Sequence, residues 1–126
     1  MRNTSAYTVS GCRSPGPPGG RSPTATSICG IGKLALVGLT TTLARQLGKE
    51  GINVNAIAPG NVTSDAGKLL VPDESPFIKF LEMTVASRPR GTPDELVGAL
   101  LLLCSDAGAW ITGQVIHIDG GWVIRP

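Results

Sequence analysis

Cys29 and Lys33, in the run Cys29-Gly-Ile-Gly-Lys33, are the first residues here whose types and spacing could do chemistry. At a spacing of i, i+4 both side chains lie on one face of a helix, one turn apart. A thiol of ordinary pKa, about 8.5, next to an ammonium could in principle serve as a proton donor. A lone lysine near a helix start is more commonly just solvated, so the pair needs its context. A second group is Pro59-Gly60-Asn61-Val62-Thr63-Ser64, a turn with two hydroxyls following an apolar run. His117 is the only histidine. It falls inside the apolar run Val115–Ile118 with no serine or acid placed to work with it, so it is not read as a base. Cys12, Cys29 and Cys104 are odd in number and form no CxxC pair, which predicts neither a disulfide framework nor a zinc site.

The elements that must position these residues are legible from periodicity. Leu36, Leu39, Leu43 and Leu47 recur every three or four residues, which predicts one apolar helical face opened by Lys33. Gly51 is placed to cap that helix, because a residue without Cβ enters the left-handed region cheaply. Ile52, Val54, Ala56 and Ala58 then alternate with Asn53, Asn55 and Ile57, and the period drops from 3.6 to 2. Helix, tight loop and strand make one crossover of an α/β sheet. The Pro59-Gly60 turn leaves the carboxyl end of that strand, where open α/β sheets bind ligands.

Ser75-Pro76 reads as an N-cap with proline at the first helical position, ahead of an apolar stripe Phe77, Phe80, Leu81, Thr84 and Val85. Arg88-Pro-Arg-Gly91 is a loop, and Thr92-Pro-Asp-Glu95 a capping box. The helix that follows, through Cys104, is apolar nearly all round and must be buried on two sides, Cys104 included. Val115–Ile118 suits a buried parallel strand, and right-handed crossover sets it beside residues 52–58. Asp119-Gly-Gly121 is a turn.

The chain has 126 residues, enough for one domain. Its net charge of +2 is too small to suggest nucleic acid or an anionic membrane as partner. No uninterrupted stretch approaches the roughly 18 apolar residues of a membrane span. Reduced cysteines point to a cytoplasmic setting. Residues 1–28 differ from the rest, being rich in Ser, Thr, Gly and Pro around Ser14-Pro-Gly-Pro-Pro-Gly-Gly20. They hold Arg2, Arg13 and Arg21 and no acid, and the composition predicts a disordered head. The domain proper is then 29–126.

Gly30-x-Gly-Lys33-Leu-Ala-Leu-x-Gly-Leu-Thr, followed by Leu-Ala and then Gly51-Ile-Asn-Val-Asn-Ala-Ile-Ala-Pro-Gly60, resembles the C-terminal half of the short-chain dehydrogenases/reductases. The branch of 3-oxoacyl-acyl-carrier-protein reductases is the most similar in flavour. The resemblance covers Gly30 to Pro126. It implies the C-terminal half of a Rossmann-type, doubly wound parallel sheet, and oxidation or reduction of an alcohol/carbonyl pair with NAD or NADP. It makes Lys33 the family's catalytic, ribose-holding lysine. It gives Val62 the backbone contact to the nicotinamide carboxamide at the Pro59-Gly60 turn, assisted by the hydroxyl of Thr63 or Ser64. Residues 76–85 become the substrate lid, whose phenylalanines and aliphatic stripe suggest a small hydrophobic alcohol or ketone. The 93–104 helix becomes a subunit contact, implying a homo-oligomer or association with another chain of the family.

The departures carry as much information. Cys29 stands where the family has its catalytic tyrosine, and its thiol is several ångströms too short to reach the same substrate oxygen. The family's serine position falls on Gly16, and neither Ser14 nor Ser22 inherits the role. Tyr7, the only tyrosine, is in the head. No Gly-rich phosphate-binding turn occurs. The expectation is a truncated oxidoreductase, inactive alone and with its own cofactor binding in question. The alternative is a non-catalytic module pairing with full-length relatives through the 93–104 helix.

Overall fold

Gly51 closes the first crossover as its sequence context demands: φ is 77°, and its N–H bonds Gly48 C=O at 3.1 Å. The computed structural model describes residues 4–8, 23–63, 71–88 and 90–124. In chain order the elements are β1 (Thr4–Thr8), α1 (Pro23–Leu47), a 3-10 turn (Gly48–Glu50), β2 (Asn53–Pro59), α2 (Pro76–Thr84), α3 (Asp94–Cys104), a second 3-10 turn (Asp106–Gly108) and β3 (Val115–Ile118). The strands form one parallel sheet in the order β1-β2-β3. Ala56 is opposite Val115 and Pro59 opposite Ile118, so β3 takes the predicted place beside β2.

The first strand is the main surprise. Thr4–Thr8 pairs with Asn53–Ile57, with Tyr7 opposite Ala56. A short run holding two threonines and a tyrosine suits a strand, and the otherwise unpaired edge of β2 offers it a ladder. The division drawn after residue 28 also falls inside α1, which begins at Pro23. Lys33 is therefore deep within the helix rather than at its start. The rest of the head, residues 9–22 with Gly16, Ser14 and Ser22, lies outside the described residues.

β2 is covered on both faces. Val54, Asn55, Ala56 and Ile57 are all buried, so its asparagines do not mark a solvent side as simple alternation suggests. Asn55 is enclosed with both amide ends paired: Nδ2 donates to Ile111 C=O at 2.8 Å, and Oδ1 accepts from Gln114 N–H at 3.0 Å. α1 packs on β2, and α3 on β1 and β2. On α1 the buried positions are Thr40 and Ala44, flanked by the half-buried Leu36, Leu43 and Leu47. Leu39 instead joins Ile28, Ile31 and Leu34 on a second, exposed apolar side.

That outer side lifts the mean hydropathy of Ile28–Glu50 to 1.3, long and apolar enough to cross a membrane by length and composition. A scan for unbroken apolar runs overlooks it because threonines and glycines interrupt the leucines. Here the helix lies along the sheet, with Thr40 and Ala44 facing it.

Ser75 caps α2 as expected, its Oγ accepting from Ile78 N–H with Pro76 at the first helical position. The buried stripe is Ile78, Leu81 and Val85, joined by Val71, Phe77 and Trp122, while Phe80 is exposed. The expected stripe therefore holds at Phe77, Leu81 and Val85, while Ile78 takes the inner place and Phe80 the outer. On α3 only Leu103 is buried, and Cys104 is exposed rather than a core residue. The helix is N-capped at Pro93, and Glu95 reaches back to Thr92 N–H at 2.6 Å, so half of the capping box forms.

Candidate functional site

α1 turns back tightly into β2 through Ile52 N–H to Leu47 C=O at 3.2 Å, so helix and strand run antiparallel. From Leu47 back to Lys33 the helix rises about 21 Å at 1.5 Å per residue. From Asn53 to Pro59 the strand rises about 20 Å. Lys33 therefore comes level with the carboxyl end of β2. Within residues 28–35 only Cys29 and Lys33 are partly covered, and the six others are exposed. The i, i+4 pair is on the inner side of the helix, in line with Val37, Thr40 and Ala44.

The turn after β2 is fixed from two directions. Gly60 N–H bonds Ile118 C=O at 2.9 Å, which ties the turn to the end of β3. On the other side Val62 and Gly91 form a parallel bridge, with Gly91 N–H to Asn61 C=O at 2.9 Å and Thr63 N–H to Gly91 C=O at 2.8 Å. In such a bridge the ladder bonds go to the residues flanking Val62, so Val62's own N–H and C=O point to the opposite side. Its N–H meets Gly60 C=O at 3.1 Å within the turn, a bond that a ligand carbonyl could replace. Pro59, Gly60, Val62 and Thr63 are thus brought together as one rigid corner. Ser64 lies outside the described residues.

A small cleft of about 60 Å³ opens behind this corner, lined among others by Asn61, Val62, Arg88, Thr92, Glu95 and Asp119. Ligand pockets usually measure about 300–1,000 Å³, so this cleft does not enclose a small molecule by itself. Neither Lys33 nor Cys29 lines it. Arg88 and Glu95 form an ion pair at its rim, and Arg88 Nε donates to Arg90 C=O at 3.1 Å. The guanidinium, then the Thr92 N–H, hold the Glu95 carboxyl down at a pKa of about 2, and the same contact raises Arg88. Asp119 accepts from Gly121 N–H and Val123 N–H, both at 3.0 Å, which shapes the Asp119-Gly-Gly121 turn. Sequence reading saw a loop, a cap and a turn in these stretches. Pairing between Arg88 and Glu95, and between Val62 and Gly91, has no periodic signal to reveal it. Among the described residues no group of three His, Cys, Asp or Glu is placed to hold a metal ion.

Comparison with known proteins decides the family. The model of the family described as enoyl-(acyl carrier protein) reductase matches residues 19–123. The chain belongs to the short-chain dehydrogenase/reductase family. It is 44% identical over 96 residues to an uncharacterized oxidoreductase of Mycobacterium tuberculosis, covering 76% of this chain and 38% of that one. It is 38% identical over 89 residues to the 3-oxoacyl-[acyl-carrier-protein] reductase of Aquifex aeolicus, covering 71% and 35%. A candidate 2-deoxy-D-gluconate 3-dehydrogenase of Agrobacterium tumefaciens, solved with bound NADP, superposes with a TM-score of 0.71 at 31% identity, covering 97% of this chain and 46% of that one. This short-chain dehydrogenase/reductase chain spans a little over a third of the length of these curated relatives. Its α/β architecture is the Rossmann type of those structures.

Proposed function

We propose that this chain forms the nicotinamide-facing part of an NAD(P)-dependent alcohol/carbonyl oxidoreductase site and does not complete the reaction alone. The observation that carries this reading is the Cys29–Lys33 pair on the inner side of α1, with a cysteine at the position of the family's tyrosine. The corner at Val62 fits the nicotinamide end of the cofactor, since its outward N–H and C=O match a carboxamide's acceptor and donor. Lys33 fits a ribose hydroxyl. When bound, the cofactor would supply the hydride. This chain's share is to orient the carboxamide through Val62, assisted by the hydroxyl of Thr63 or Ser64, and to hold the ribose through Lys33. The substrate suggested by the apolar α2 stripe is a small hydrophobic alcohol or ketone.

The test is an assay of the purified chain with NADH and NADPH across small ketones, expected to give no turnover. Adding a polypeptide with the N-terminal half of a relative, together with Cys29→Tyr, is expected to restore it. Turnover by the unmodified chain alone would refute the reading.

A second reading is favoured by α3, where Val97 is 45% and Leu101 64% exposed. In that reading the chain is a non-catalytic module that joins full-length relatives through residues 93–104. Mixed oligomers formed with such relatives would support it.

A further inference from the structure

Arg90 and Gly91 are adjacent in the chain and fasten two different parts of the fold. Gly91 brackets Val62 through its backbone, accepting from Thr63 N–H and donating to Asn61 C=O. The Arg90 side chain reaches the other way. One Nη is 2.9 Å from Asp73 Oδ1, and the other donates to Val71 C=O. The guanidinium is only 12% exposed, whereas Asp73 is 69% exposed. Val71 in turn packs against the Ile78, Leu81 and Val85 cluster of α2. A continuous line of contacts therefore runs from Val62 through Gly91 and Arg90 to the base of α2.

We propose that Arg90 is a positioning residue that fixes α2 against the Val62 corner, so that the two move as one body. An arginine suits the task because its planar fork makes two bonds in a set relation, which a lysine cannot. Both bonds are charge-assisted, and the Arg90 side chain is largely withdrawn from water, unlike Arg88, although Asp73 itself is exposed. α2 is also held separately, at its first turn and just beyond its last. Trp122 meets Phe77 edge to face at 6.3 Å, and Ser87 N–H bonds Gly120 C=O at 2.8 Å. That second clamp leads to the end of β3, which the turn before Val62 also meets through Gly60 N–H and Ile118 C=O. Arg90 is thus the side chain that ties the segment leading into α2 directly to the residue bracketing Val62, the backbone assigned to the carboxamide. The assignment of Val62 rests on the proposed function, but the mechanical coupling does not.

Amide hydrogen exchange on the full chain tests this without any cofactor, so the outcome is independent of whether the chain binds NAD(P). In Arg90→Gln, peptides covering 71–84 and those covering 61–63 are expected to exchange about tenfold faster together, the scale of losing one charged hydrogen bond. β2 and α3 should keep their protection. Arg90→Lys should recover part of the α2 protection, because one of the two bonds can re-form. Faster exchange in 71–84 with 61–63 unchanged would overturn the coupling. If Arg90→Gln also strips β2, Asp73→Asn decides, because that exposed site leaves the fold intact. It is expected to speed both segments by a smaller factor, and no change in either would equally defeat the proposal.

Discussion

Gly60 lies so close to Asp119 that a Cβ built on the glycine would stand 2.6 Å from Asp119 Cα and 2.7 Å from its Cβ. Both neighbours are backbone-fixed, because Gly60 N–H also bonds Ile118 C=O. The turn after β2 is pressed flat against the end of β3, and only a residue without a side chain allows this. Gly60→Ala is expected to destabilise the fold by about 1–3 kcal/mol as the two strand ends are forced apart. Gly98→Ala, in α3 with nothing within 4 Å of the added carbon, should stabilise by about 1 kcal/mol. Urea midpoints compared at equal m report both effects, and shifts of the same sign would contradict the contact.

Asn55 supplies a second test of what the sheet needs. Replacing it with alanine leaves Ile111 C=O and Gln114 N–H without their partner beside a buried strand. At about 1–3 kcal/mol for each buried group left unpaired, Asn55→Ala should cost about 3 kcal/mol. Asn53 bonds Ala109 C=O at 3.0 Å but is half-buried, so water can replace its amide. Asn53→Ala should cost about 1 kcal/mol. Thermal unfolding distinguishes the two, and similar losses would show that burial is not the deciding factor.

These two asparagines also show where sequence reading stops. The helix–glycine–strand passage was legible because Gly51 and the change of period are local features, and so was the parallel neighbour β3. Whether an asparagine in a strand faces water depends on what covers that face, here residues 108–114, far along the chain. The α2 stripe is right at Leu81 and Val85 and at Phe77, which packs on the cluster with Trp122; it misses Ile78 and wrongly includes Phe80, because a second phenylalanine outweighs Ile78 in hydrophobic pattern. β1 went unseen because five residues carry little periodicity. For the site, only resemblance to a family singles out Lys33 and the Pro59–Val62 turn as candidates. Arg90 was not, since an ordinary loop arginine looks the same until Val71 and Asp73 are beside it.

Glu95 gives a pH prediction with a definite sign. Its carboxyl is lowered from 4.5 to about 2, chiefly by Arg88, so the pair is fully formed above about pH 4.5 and is lost as pH falls through about 2. The group is exposed, so the effect on global stability is slight and should fade in high salt. The Thr92 amide, which donates to Glu95, is the local reporter. Its NMR shift should titrate with a midpoint near pH 2 and be flat in Glu95→Gln. A midpoint near 4.5 would mean that Arg88 does not hold the carboxylate in solution.

Leu101 tests whether another chain covers α3. At 64% exposure within a single chain, an exchange to lysine should alter intrinsic stability by no more than about 0.5 kcal/mol. Val97, Leu100, Leu101 and Leu102 nevertheless form an apolar surface of a kind that monomers rarely leave bare. Sedimentation of the unmodified chain should therefore show self-association, and Leu101→Lys should shift it to monomer without lowering the unfolding midpoint of dilute samples. If the unmodified chain is already monomeric at about 100 µM, far above the Kd of a stable protein interface, the outer side of α3 is not a contact between copies of this chain. Its exposure would then have to be matched by a different partner, and the mixed-oligomer experiment would be the remaining support for a pairing role.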